Sequence, residues 1–270
     1  MDAPTDAAPG RSLAAGLDIL RSRSAAAWAR GLGAAVRALP TEAARWRLRR
    51  AVLRFRPRLP RDALILPGDT VLQVGIAVPA TARTIMRLVG RSGRAVFVEP
   101  VNHQAIRAAL DAMGVTNATI VPAAASDTQG RARLLVAARS LDHRLEDPAI
   151  AHDNDLVAAR DGGYRTEDVE VDTVEHLLDE LGIPRIDYAD VQVNGSELKV
   201  LRGMGRYLEL TERLFVKAHA RDSRTGTPLA EPIAAFLAER GFRVLRTRPS
   251  RAADPAWGPR RGDVVAWRPR

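Results

Sequence analysis

From Thr70 onward, short apolar runs alternate with segments of helical period, and this alternation constrains the fold more than any other feature. The runs TVLQV (70–74), AVFVE (95–99), TIVPA (119–123), IDYADVQV (186–193) and LFVKAH (214–219) read as strands. Between them, 80–89, 101–113, 174–181, 196–209 and 229–240 carry apolar residues at helical spacing. Such alternation argues for a parallel sheet covered by helices on both faces. RARLLVA (131–137) and EDVEVDTV (167–174) read as extra strands beside TIVPA. The long, charged, glycine-bearing stretch 140–164 is expected to be a loop over the site or a mobile lid. FRVLRT (242–247) and DVVAWR (263–268) read as an antiparallel hairpin closing the sheet's edge. The expected fold class is α/β: a three-layer sandwich around a mostly parallel, doubly wound sheet with an antiparallel edge hairpin, plus an N-terminal helical extension.

Composition sets the boundaries. The chain has 270 residues, 46% of them hydrophobic, enough to bury one main core and an appendage. It has no cysteine, which excludes disulfides, thiolate metal sites and a cysteine nucleophile. The opening MDAPTDAAPG is acidic and proline-containing rather than basic then apolar, and no apolar run approaches the roughly 18 residues of a membrane span. A soluble, cytoplasmic protein without a transmembrane segment is the expectation.

Charge is unevenly placed. Residues 1–61 hold 13 Lys/Arg against 4 Asp/Glu, while 62–270 hold 28 against 28, so the whole excess of +9 lies in the first segment. Periodicity there predicts one helix over 12–39, ended by Pro40, and a second from Thr41 to about Phe55, followed by a proline-rich linker. The division expected is a basic helical extension over 1–61 and a main domain over 62–270. In ARWRLRRAVLRFRPRLPR (44–61), arginines alternate with Trp46, Leu48, Leu53 and Phe55. That segment could meet an anionic surface such as lipid or an acidic partner. Its plainer use is a solvated helix whose arginines lie over the main domain. The arginines encircle the helix instead of forming one stripe, which favours the plainer use. Nucleic acid is not expected.

Ligands in open sheets of this kind bind beyond the carboxyl ends of the strands, which directs attention to the residues just after each run. At the first exit stand Gln73 and Gly75, where glycine lets the backbone turn sharply beside a nucleotide-like cofactor. Pro79 suits a first helical turn, while Ile76 and Val78 add bulk where a cofactor would press. At the second exit, Glu99 is placed to accept two hydrogen bonds from a ribose diol, or is an ordinary surface carboxylate at a helix N-terminus. Ser126 and Asp127 at the third could reach a purine amino group, or make a polar turn into Gly130. At the fourth, Gln192 and Asn194 form an amide pair that could grip a substrate carbonyl or hydroxyl, unless Asn194 and Ser196 merely cap the next helix. His219 at the fifth is a general base or a structural histidine. His103, His143, His152 and His176 show no metal-ligand spacing, and neither a Walker loop nor a serine-nucleophile elbow occurs, so no metal site is expected.

Taken in order, PGDTVLQVG, SGRAVFVEP, NATIVPAAASDTQGRARL, VEVDTVEHLLDELGIPRIDYADVQVNGSELKVLRG and FLAERGFRV resemble the FkbM-type family of S-adenosylmethionine-dependent methyltransferases. The resemblance runs from about Leu66 to Val244. It implies a class I methyltransferase sandwich, S-adenosylmethionine as cofactor, and methyl transfer, usually to an oxygen of a sugar or other small molecule. Carried over residue by residue, it makes Gly75 the loop glycine, Glu99 the ribose acid, and Ser126 with Asp127 the adenine-side pair. Gln73 stands where the family often has aspartate, and Pro79 where it has a second glycine. Gln192 replaces an aspartate, Asn194 a glutamate, and Lys217 a glutamate preceding the retained His219. Gln192, Asn194 and His219 are thereby the candidates on the acceptor side. Several acids near the cofactor's cationic sulfonium have become neutral or basic. The alternative is accordingly a catalytically inactive member that serves as a binding or scaffolding module.

Overall fold

The computed structural model describes residues 65–75, 78–138, 143–152, 162–218, 220–246 and 263–269. The chain divides into two compact units, Met1–Pro67 and Gly68–Arg270, and the description below concerns the second. The two helices and the arginine segment expected within 1–61 lie outside the described residues.

β1 (Thr70–Val74) is the centre of the architecture. Its apolar run is buried on both faces because β2 (Arg94–Val98) pairs with it in parallel on one side and β9 (Tyr188–Val191) on the other. β3 (Ala118–Val121) lies outside β2, and β10 (Arg213–Val216) outside β9, both in parallel. β13 (Val264–Trp267) then runs antiparallel to β10 and to β12 (Arg243–Arg246), so the order is β12-β13-β10-β9-β1-β2-β3. The mostly parallel sheet and its antiparallel hairpin are therefore present. β12, the first strand of the hairpin, is the edge.

The helices follow the apolar periodicity. α1 (Pro79–Val89) has Pro79 in its first turn and buries Ala82, Ile85, Met86 and Val89, one face at helical spacing. α2 (His103–Asp111) buries Ile106 and Leu110, and α3 (Val174–Glu180) is capped by the Thr173 hydroxyl, which accepts from His176 N. The single helix expected over 196–209 is two helices: α4 (Glu197–Gly203) and α5 (Arg206–Leu210). They part at Gly205, whose φ of +48° is foreign to a right-handed helix. α6 (Ala230–Glu239) packs Ile233 and Leu237 into the core.

A second, four-stranded sheet differs from the sequence expectation. β5 (Gly130–Ala137) and β8 (Tyr164–Thr173) pair with one another and, through β8, with the short β4 (Ala124–Ser126), so they do not extend the main sheet beside β3. β4 lies hard against α4: a methyl group added at Gly203 would overlap the Ser126 carbonyl oxygen. The expected loop or lid over 140–164 also needs correction. Its described part carries β6 (Arg144–Leu145), paired to β5, and β7 (Ile150–His152), paired to β11 (Ala220–Asp222).

At the amino ends of the strands, the guanidinium of Arg213 reaches Asp69 at 3.0 Å, with both side chains buried. The bond spans β9, whose neighbour Asp187 accepts from Thr70 N through Oδ2 at 2.7 Å.

Candidate functional site

The chain runs from β1 to β2 and β3 on one side, then returns to β9 on the other, so the strand order reverses between β1 and β9. A crevice opens at the carboxyl ends of strands where such a reversal occurs. Gly75 stands at that point. Its N–H donates to Val98 O at 2.9 Å, tying it to β2, while Gln192 N donates to Val74 O at 2.9 Å from β9. Its φ is +72°, and an added Cβ would fall far inside van der Waals contact of Gln192 O and 2.9 Å from Val193 Cγ1. Three strand exits converge here because residue 75 has no side chain.

Beneath it, Gln73 is fully buried and donates through Nε2 to Gly75 O at 3.0 Å. Its Oε1 has no hydrogen-bond partner among the described residues. Gln73 does not itself line the cleft that opens beyond Gly75.

Glu99 follows β2 and is only 3% exposed. Oε1 accepts from Val101 N at 2.9 Å and Asn102 N at 3.1 Å, so the carboxylate caps the turn into α2 while it lines the cleft. The surface carboxylate of the alternative reading is thus a buried one. Between Gly75, Glu99, Ala125, Gln192 and the roof described below lies a small cleft that opens to solvent. Val78 is half-buried at the start of α1 and does not line this cleft; Ile76 lies outside the described residues.

The other sequence candidates are distributed unevenly. Ala124 and Ala125 reach the cleft, whereas Ser126 and Asp127 do not line it; the Ser126 hydroxyl donates to Asp127 Oδ1 at 3.3 Å. Gln192 lines it, with Nε2 donating to Asp190 Oδ1 at 2.7 Å. Asn194 sits in the left-handed region at φ +54° and donates through Nδ2 to His143 O at 2.9 Å. His219 lies outside the described residues.

Glu197, the first residue of α4, has a role the sequence did not reveal. Ser196 makes no side-chain cap; the fully buried Glu197 carboxylate instead accepts from Gly195 N at 3.0 Å, with further backbone N–H groups of residues 193–197 around it. Burial outweighs those bonds, and its pKa is pushed up from 4.5 to about 7. Folded Glu197 therefore holds its proton more tightly than the unfolded chain does. The stability this contributes is fully present below pH 4.5 and is lost as the pH rises through about 7. Over that window the loss amounts to roughly 3 kcal/mol. Glu197→Gln keeps an oxygen for the Gly195 N–H and should flatten the slope. Chemical denaturation at about pH 5 and about pH 8 measures it, and parallel profiles for wild type and variant would rule out Glu197 as the source.

The segment after residue 142 forms the roof, with His143, Arg144 and Leu145 lining the cleft. Arg144 donates to the Tyr164 hydroxyl at 2.8 Å and lies over its ring, 4.8 Å from the centroid. Asp147 accepts from Lys199 Nζ of α4 at 2.8 Å. Burial opposes the Asp147 charge, but bonds from Lys199 and Ala149 N prevail and hold its carboxyl below the ordinary range. The Lys199 and Asp147 side chains meet across 52 positions of sequence, beyond the reach of any local pattern.

A family model for the methyltransferase FkbM domain matches residues 73–244. The chain belongs to the FkbM methyltransferase family. S-adenosylmethionine is accordingly its cofactor and methylation its general chemistry. The match spans the segment from β1 to β12, including all the described candidates. Among solved structures, this FkbM methyltransferase is similar to fibrillarin from Aeropyrum pernix with natively bound S-adenosyl-L-methionine, at 15% identity and TM-score 0.42 over 75% of this chain and 67% of that one. It is also similar to precorrin-6y C5,15-methyltransferase from Geobacter metallireducens, at 13% identity and TM-score 0.42 over 82% of this chain and 88% of that one. At those scores the family match alone carries the argument. No curated protein matches the FkbM chain in sequence. No helix among its described residues is long and apolar enough to cross a membrane.

Proposed function

We propose that the chain is an O-methyltransferase of the cytoplasm acting on a small molecule or sugar, with its cofactor in the cleft beyond Gly75 and Glu99. The observation that carries this reading is the convergence of three strand exits on a glycine that accepts no side chain, beside a buried carboxylate. Gly75 and Glu99 would hold the cofactor, with Gln73 beneath them and Ser126 and Asp127 at the margin of the site. The bound cofactor supplies an electrophilic methyl group. The protein's part is mainly to exclude water and fix the acceptor in line; Gln192 lines the cleft, while the roles of Asn194 and His219 on the acceptor side rest on the sequence resemblance.

One observation favours the non-catalytic alternative: the amide nitrogens of Gln192 and Asn194 are both engaged internally. Isothermal calorimetry with S-adenosylhomocysteine tests the cofactor site directly, and one-to-one binding in the micromolar range is expected. Absence of heat at millimolar ligand would overturn the reading. Binding without turnover of labelled S-adenosylmethionine on any of a panel of hydroxylated small molecules would favour the alternative.

A further inference from the structure

We infer that Asn194 is a latch: a positioning residue whose amide holds the roof of the cleft over the bound ligand. This rests on the cofactor reading above. Asn194 is the sole non-glycine residue with positive φ among those described, and its Nδ2 donates at 2.9 Å to the carbonyl of His143. That carbonyl begins the stretch His143–Leu145 that lines the cleft. Asparagine combines two properties needed here, since it tolerates the left-handed conformation and carries a short donor.

The seat of the latch is itself fixed. Glu197 accepts from Gly195 N, and Ile150 of β7 lies so close over Gly195 that an added Cβ would stand 2.5 Å from Ile150 Cγ2. Further along, the same segment is fastened by Lys199 to Asp147 and by Ser223 N to Ala149 O at 2.8 Å. The roof is thus tied to α4 and β11 at its far end, to β5 through β6, and to the β9 exit through Asn194. Loss of the Asn194 amide loosens the His143 end and leaves the pairing with β5 and the far end in place.

Two variants separate the hydrogen bond from the backbone conformation. Asn194→Gly keeps the left-handed turn and removes the donor; Asn194→Asp keeps the shape and replaces the donor with an acceptor. In both, hydrogen exchange of the amides of His143 and Arg144 in the free protein should quicken about tenfold, and S-adenosylhomocysteine should dissociate about tenfold faster, while the melting temperature moves by only a few degrees. Unchanged exchange in Asn194→Gly overturns the latch, as does faster exchange with an unaltered dissociation rate. Failure of wild type to bind S-adenosylhomocysteine is a separate result, seen before any variant is made, and it overturns the cofactor reading itself.

Discussion

Alanine at position 75 should abolish S-adenosylhomocysteine binding and destabilise the domain by about 3 kcal/mol or more. Two costs combine. The backbone sits at φ +72°, where a side chain is strained by about 1–2 kcal/mol. The new methyl group would also meet the Gln192 carbonyl oxygen, which is main chain and has no rotamer in which to withdraw. Relief requires β1 and β9 to separate at their exits, at the expense of the Gln192 N to Val74 O bond of 2.9 Å. Denaturant titration measures the loss of stability and calorimetry the loss of binding. Wild-type affinity in Gly75→Ala would mean that the cofactor does not lie against this turn.

Glu99 allows a sharper dissection, because its carboxylate caps the turn into α2 and, on the proposed reading, would also hold the cofactor's ribose. Glu99→Ala removes the acceptor of two backbone N–H groups ahead of α2 and should cost about 1–2 kcal/mol of stability, with at least about a hundredfold loss of affinity for S-adenosylhomocysteine. Glu99→Gln retains an oxygen for Val101 N and Asn102 N, so the melting temperature should stay near that of wild type. Its affinity should still fall, by about tenfold or more, since a charge-assisted bond to a ribose hydroxyl becomes a neutral one. If Glu99→Gln bound as tightly as wild type, capping would be the whole task of this residue.

The sequence reveals what local pattern controls. Buried strands such as TVLQV and the apolar face of α1 are periodic, so β1, β2, β9 and the helices α1, α2, α3 and α6 are legible within a residue or two, while β10 ends at Val216, three residues before the run LFVKAH does. Gly75 and Glu99 could be found because they directly follow strands that can be read. The break between α4 and α5 was hidden, since Gly205 stands in a sequence of otherwise helical spacing and only its φ distinguishes it. β4 is not anticipated: Ala124–Ser126 reads as the exit of the third strand, yet it pairs with β8 in the second sheet. The roof was read as a loop for a different reason. Its order comes from β6, a strand of two residues too short to read, and from partners about fifty positions away, His143 with Asn194 and Asp147 with Lys199, and such pairs leave no periodic trace. Glu197 is not among the sequence candidates, and only its full burial distinguishes it.

The Asp69–Arg213 bond bears on how this family can diverge. Breaking one partner of so buried a pair is costly, on the order of 3–5 kcal/mol, so it fixes the mutual alignment of β1, β9 and β10 from the pole remote from any ligand. Substitutions at the opposite pole, where Gln192 and Asn194 stand, can therefore change the chemistry offered there without forfeiting the alignment of the strands beneath. Architecture and chemistry are inherited from different ends of the same sheet.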